Sequence, residues 1–136
     1  MTFLVDANVL SEPTKEQPSA RVCSWLHENE RELVVDPLVL GELRFGILLL
    51  PKGRRRHRLE EWFEAGVARV VCLPWDGDTG MVWAELLARL RSAGKAMPIK
   101  DSLIAATAIR HGLVVATRNT EDFVKAGVRI VNPFAP

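Results

Sequence analysis

Short β-branched runs alternate along this chain with longer helical patterns, which predicts an α/β fold: a short, mostly parallel five-stranded sheet with helices on both faces. Three observations carry that expectation. The strand candidates are apolar and unalternating, as strands covered on both faces should be. Gly94, Gly112 and Gly127 stand where the intervening helices should stop. Right-handed crossovers then convert the alternation into a parallel sheet. The first strand is Phe3-Leu4-Val5, followed by Asp6 and helical patterns near 7–12 and 19–30. Leu33-Val34-Val35 is the second strand, with helices near 37–50 and 54–66 behind it. Val70-Val71-Cys72-Leu73 is the third, leading into helices near 76–93 and 100–111. Leu113-Val114-Val115-Ala116 and Val128-Arg129-Ile130-Val131 complete the set, with a short helix near 120–126 between them.

The chain has 136 residues, 48% of them apolar and 26% charged, a composition expected of one compact soluble domain spanning 1–136. At this length roughly two-thirds of the extended-chain surface can be buried, so a core forms without disulfide or zinc staples. Cys23 and Cys72 lie far apart in apolar surroundings and read as buried, reduced thiols. A formal charge of +1 gives no global pull toward nucleic acid or membrane, so any such attraction is local. No basic leader or long apolar segment is evident, and the expected location is the cytoplasm, with no membrane partner. Gly41 and Gly46 have the Walker separation but Ile47 follows where Lys is needed; GxGxxG after a strand and GxSxG are also missing.

In parallel sheets, ligands bind beyond the carboxyl ends of the strands, so polar residues there and on apolar helix faces are the site candidates. Asp6 ends the first strand, with Asn8 two residues on; it reads equally as a helix cap. Glu42 is a lone carboxylate among Leu38, Val39, Phe45 and Gly46, where it must be neutralised, paired with Arg44 or another cation, or bound to a metal. Asp101 opens the helix Ser102-Leu103-Ile104-Ala105-Ala106, and capping explains it as well as catalysis does. Asn119 and Asp122 follow the fourth strand after Thr117 and read alternatively as a capping pair. Four carboxylates from four segments nevertheless suggest convergence. Clustered carboxylates repel unless a cation joins them, and an all-oxygen set favours Mg²⁺ or Mn²⁺ over zinc. Such an ion suits phosphate ester hydrolysis.

The strings FLVDANVLSEP, LGELRFGI, IKDSLIAATAIRHG and VVATRNTEDF, in this order and at these separations, resemble the PIN-domain ribonucleases, and among them the VapC-type toxins of bacterial toxin–antitoxin pairs. The resemblance spans essentially the whole chain. It implies a PIN-like α/β/α sandwich, with Asp6, Glu42 and Asp101 at the family's three core acidic positions and Asn8 and Thr117 lining the pocket. Many relatives carry a fourth acid directly after Thr-Arg, where this chain has Asn119. A neutral oxygen donor there would hold a second metal less strongly, and Asp122 is the available replacement. The resemblance further implies a metal-dependent endoribonuclease toxin that stops translation or growth, a cognate VapB-type antitoxin and a homodimer. Leu38 to Leu50 is apolar on two faces, more than a small domain can cover alone. An antitoxin helix is expected beside Leu43 and Ile47, reaching the acids with a basic side chain.

Between Lys52 and Arg58, Arg54, Arg55, Arg56 and Arg58 form a basic run that reads as an RNA phosphate patch or as a solvated helix start. Trp25, Trp62, Trp75 and Trp83 read as packing residues rather than base-stacking platforms, and His27, His57 and His111 as surface or capping groups. Two rival activities remain at this level. One is a haloacid-dehalogenase-type phosphatase using Asp6 as nucleophile, for which Asn8 is a poor match; the other is a non-catalytic interaction module. In the favoured reading Asp6 and Asp101 hold the main metal. Glu42 coordinates it or deprotonates water, and Asn8, Thr117, Asn119 and Asp122 position waters or phosphate oxygens.

Overall fold

The computed structural model describes residues 1–136. In chain order its elements are β1 (Phe3–Val5), α1 (Ala7–Leu10), α2 (Ala20–Glu28), β2 (Leu33–Val35), α3 (Pro37–Leu48), α4 (Arg54–Ala65), β3 (Val71–Cys72), α5 (Gly77–Ser92), α6 (Ile99–His111), β4 (Val114–Ala116), α7 (Thr120–Lys125) and β5 (Ile130–Val131). The five strands pair in the order β3-β2-β1-β4-β5, and every pairing is parallel. The chain builds outward from β1 to β3, then returns across the sheet to β4 and β5. With right-handed crossovers, that reversal sends the two sets of helices to opposite faces. The direction changes between β1 and β4, which is where a parallel sheet opens a crevice at its carboxyl edge.

Helix boundaries follow local chemistry. Asp36 caps α3 by accepting from the Val39 amide at 3.0 Å, with Pro37 already in a helical φ at the first position. Asp76 caps α5 through the Thr79 amide, and Arg110 locks that corner with a 2.7 Å contact to Asp76. Gly112 ends α6 at φ +64°, a left-handed conformation that a side chain resists. Leu4, Val5, Val35, Val115, Ile104, Leu86 and Phe123 form the centre of the core between sheet and helices.

Two expectations need correction. Only β1 and β4 are covered throughout; β2 and β5 are partly covered and β3 is exposed, because β3 and β5 are the sheet edges. Edge position also exposes Cys72 on β3, while Cys23 on α2 is half-buried; both are free thiols. The tryptophans do pack as scaffold. Trp25 meets Phe3 edge-on, and Trp75 and Trp83 donate their indole N–H groups to Leu103 O and Ser102 Oγ, fastening α6 from the α5 side. No helix is long and apolar enough to cross a membrane.

Candidate active site

Asp6 leaves the end of β1 with its backbone amide still paired to Ala116 O of β4, so its side chain sits at the switch between the two halves of the sheet. Oδ1 accepts from the Ala7 amide at 2.8 Å, and Oδ2 accepts from Thr117 Oγ1 at 2.7 Å. The cap and the site residue are therefore one carboxylate. Asn8 Nδ2 reaches Asp6 Oδ2 at 3.3 Å and Thr117 Oγ1 at 3.4 Å, while Asn8 Oδ1 accepts from the Arg118 amide. Asp6 is only 4% exposed. Burial raises its pKa above the ordinary carboxylate value against the lowering effect of Thr117 and the Ala7 amide.

Glu42 projects from α3, and its predicted partner Arg44 turns instead to Glu60. The cation it meets is Lys100, whose Nζ donates to Oε2 at 2.6 Å from the first turn of α6. The other oxygen, Oε1, is buried and has no hydrogen-bond partner. Asp101, next along α6, is 4% exposed and does not cap the helix; Pro98 occupies that position. Burial, with the charge of Asp6 second, pushes the Asp101 pKa up to about 6. Asp122 and Glu42 add to that rise and Lys100 opposes it, so Asp101 feels the fields of the three other acids. Asn119 joins them: its amide donates to Asp101 Oδ2 at 2.8 Å and to Asp122 Oδ2 at 3.0 Å. It makes no side-chain cap to α7, which sets aside the capping-pair reading.

All seven expected pocket residues thus gather at the carboxyl edge. No three acids stand in metal-ligating geometry in this arrangement, since Lys100 and the Asn119 amide take oxygens that a cation would share. The donors nonetheless fit a hard divalent cation. They are oxygens, their charges help raise the proton affinity of Asp6 and Asp101, and one buried oxygen lacks any donor.

One cleft opens at Glu42 and a second lies beside it. The first, of about 300 Å³, runs between Asn8 and Glu42 over an apolar floor that includes Leu43, Ile47 and Trp62. The other, of about 370 Å³, is flanked by Lys15, Arg55 and Arg58. Thr14, Leu59 and Trp62 border both, so the two adjoin. The basic run divides accordingly. Arg55 and Arg58 line the second cleft, Arg54 lines neither, and Arg56 is spent on Glu60 and Leu50 O.

Sequence reasoning missed two charged groups. Lys100 had a signal, a basic side chain in the first helical turn, where the helix dipole disfavours it. Asp36 follows β2 as Asp6 follows β1, and it is fully buried, accepting from Thr107 Oγ1 at 3.1 Å. Burial raises its pKa too.

Comparison with known proteins bears on this geometry. The family model of the PIN domain matches residues 3–128. Over 140 residues the chain is 40% identical to the VapC ribonuclease Y4jK of Sinorhizobium fredii, covering 98% of this chain and 99% of that one. Toxin FitB of Neisseria gonorrhoeae is 36% identical over 136 residues, 97% of this chain and 98% of its own. Among solved structures, FitAcB from Neisseria gonorrhoeae superposes with a TM-score of 0.90 at 33% identity, over 99% of this chain and 100% of that one. DNA-bound VapBC from Salmonella typhimurium gives 0.84 at 25% identity, with 98% of each chain covered.

Proposed function

The chain belongs to the PIN-domain family, and from that premise we propose that residues 1–136 form one PIN-type domain acting as a metal-dependent endoribonuclease, the cytoplasmic toxin of a toxin–antitoxin pair. The observation that carries the chemistry is the meeting of Asp6, Glu42 and Asp101 at the sheet's switch point, with Glu42 Oε1 buried and unpartnered. Asp6 and Asp101 would hold a Mg²⁺ or Mn²⁺ ion, with Glu42 Oε2 and Asp122 completing the oxygen set. Bound there, the ion supplies positive charge to the scissile phosphate and eases deprotonation of the attacking water.

The rest is done by the chain. Thr117 and the Ala7 amide restrain Asp6, while Asn119 ties Asp101 to Asp122 across two elements. Glu42 Oε1 accepts the proton as water attacks phosphorus in line with the 3′ oxygen. The P–O3′ bond breaks, leaving a 5′ phosphate, and the departing 3′ oxygen takes a proton from solvent water to become a 3′ hydroxyl. Arg55 and Arg58 hold flanking phosphates in the basic cleft. A covalent phosphatase mechanism is disfavoured, because Asn8, which cannot protonate a leaving group, stands where that mechanism needs an acid.

The same cleft system suits an antitoxin. A helix lying over Leu43 and Ile47 would bring a basic side chain to Glu42 and Asp6, where it blocks metal and substrate together. Incubation of the purified protein with cellular RNA, followed by mapping of 5′-phosphate ends, tests the activity. Cleavage is expected to stop in EDTA and return with Mg²⁺ or Mn²⁺; cleavage unaffected by EDTA overturns this function.

A further inference from the structure

We propose that Lys100 is a tethered counter-ion of the acidic site: it occupies Glu42 while no divalent cation is bound and competes with that cation for Glu42. This inference rests on the metal-site reading above.

Position is the first argument. Lys100 lies in the first turn of α6, immediately before Asp101, at the helix end whose exposed amide groups already carry positive potential. A lysine there is unfavourable for the helix itself, so its stabilisation comes from elsewhere. The second argument is the contact. Nζ lies 2.6 Å from Glu42 Oε2, which joins α6 to α3 across the mouth of the acidic cluster. Glu42 is the cation's largest influence, and Asp101 and Asp6 act on it as well. The ammonium thus answers three acids at once. The third is the unfinished state of Glu42, whose Oε1 remains buried without a donor. One monovalent group on a flexible stem satisfies only half of that carboxylate.

An ordinary surface ion pair is the competing account. Lys100 is about half exposed, and such pairs contribute little to stability. The two accounts differ in their coupling to metal. A plain ion pair stabilises the fold equally with or without a divalent cation. A counter-ion stabilises only the metal-free protein, and its removal strengthens metal binding.

The test is Mn²⁺ binding by calorimetry and thermal unfolding in EDTA or saturating Mn²⁺, on wild type, Lys100→Met, Lys100→Arg, Glu42→Gln and the Lys100→Met/Glu42→Gln double variant. Lys100→Met is expected to bind Mn²⁺ about tenfold more tightly, since it removes a positive charge beside the ligands. Lys100→Arg is expected to stay near wild type. In the Glu42→Gln background the gain is expected to shrink to about twofold, because only general repulsion is left to relieve. Lys100→Met should also melt below wild type in EDTA, with the deficit closing in Mn²⁺. Unchanged or weaker Mn²⁺ binding by Lys100→Met, equal tightening in both backgrounds, or a melting deficit indifferent to Mn²⁺ overturns the proposal. Failure of wild type and all variants to bind Mn²⁺ overturns the metal-site reading itself.

Discussion

Asp101 shows how much of the chemistry rests on single carboxylates held against their preference. Its pKa of about 6 in the folded protein exceeds the 3.8 of an unperturbed aspartate, so the folded state binds the extra proton more tightly. Stability contributed by that proton is complete below about pH 4 and is lost as the pH rises through about 6. The metal-free protein is therefore expected to melt progressively lower across this window, and Asp101→Asn to remove much of the slope. At pH 7 in EDTA that variant should gain about 1–2 kcal/mol, read from thermal or urea unfolding. Its RNA cleavage should meanwhile fall about 100-fold or more, as should that of Asp6→Asn and Glu42→Gln. Loss of stability on Asp101→Asn would contradict this assignment. Asn119 makes a second residue-scale case. Replacing it with Asp sets a third carboxylate between Asp101 and Asp122, so Asn119→Asp should lower the metal-free melting temperature and tighten Mn²⁺ binding. Asp122→Asn should weaken it by about 10-fold, measured by calorimetry. Asp6 was legible because it ends a strand and Glu42 because it breaks an apolar face, while Asn8 and Asp101 were picked out by their places just after a strand end and at a helix start. Lys100 and Asp36 were not, since a lysine beside an aspartate and an aspartate before a proline look ordinary until the partner element is in place.

At the scale of the element, helix α4 sorts its own charges by periodicity. Arg55, Arg58, Leu59 and Trp62 recur at helical spacing along one stripe and line the cleft, whereas Arg56 turns to Glu60 and His57 to Glu61. The Arg55→Gln/Arg58→Gln pair is expected to weaken RNA binding across sequences and to flatten the salt dependence by about 0.7 unit of slope per lost phosphate contact. Arg56→Gln should leave the slope unchanged; equal effects from both would mean that the run acts only through net charge. The basic run itself was visible in the sequence, but its division was not. Which arginines face the cleft depends on where α4 docks, and that is settled by Trp62 and Phe63, which pack against the core, rather than by the arginines. Strand coverage illustrates the same point, since β3 reads as apolar as β1 yet lies exposed at the sheet edge.

For the whole molecule, three large exposed apolar side chains lie close in sequence on and just after α3: Phe45 is 62% exposed, Leu48 49% and Leu49 68%. Leu43 and Ile47 on the same helix are almost covered, so α3 serves the core with one face and offers the other to a second chain. The protein is expected to be a dimer by light scattering, and Phe45→Glu to shift it toward monomer. Expression alone should arrest growth, Asp101→Asn should abolish the arrest, and co-expression of the neighbouring antitoxin should relieve it. Growth unaffected by the intact protein would contradict the toxin assignment while leaving nuclease chemistry to the RNA assay. The sequence by itself determined the element order, the strand and helix positions to within a few residues, and the identity of the acids. Hydrophobic periodicity and helix-stop glycines are local properties, and a carboxylate on an apolar face is costly wherever it sits. Only the tertiary structure decided who meets whom. It exchanged Arg44 for Lys100 at Glu42, turned Asn119 from a cap into a bridge between Asp101 and Asp122, and left β3 and Cys72 at the edge. Those outcomes depend on strand order and on where helices from distant parts of the chain cross, and the energy of a charge depends on the neighbours that such crossings supply.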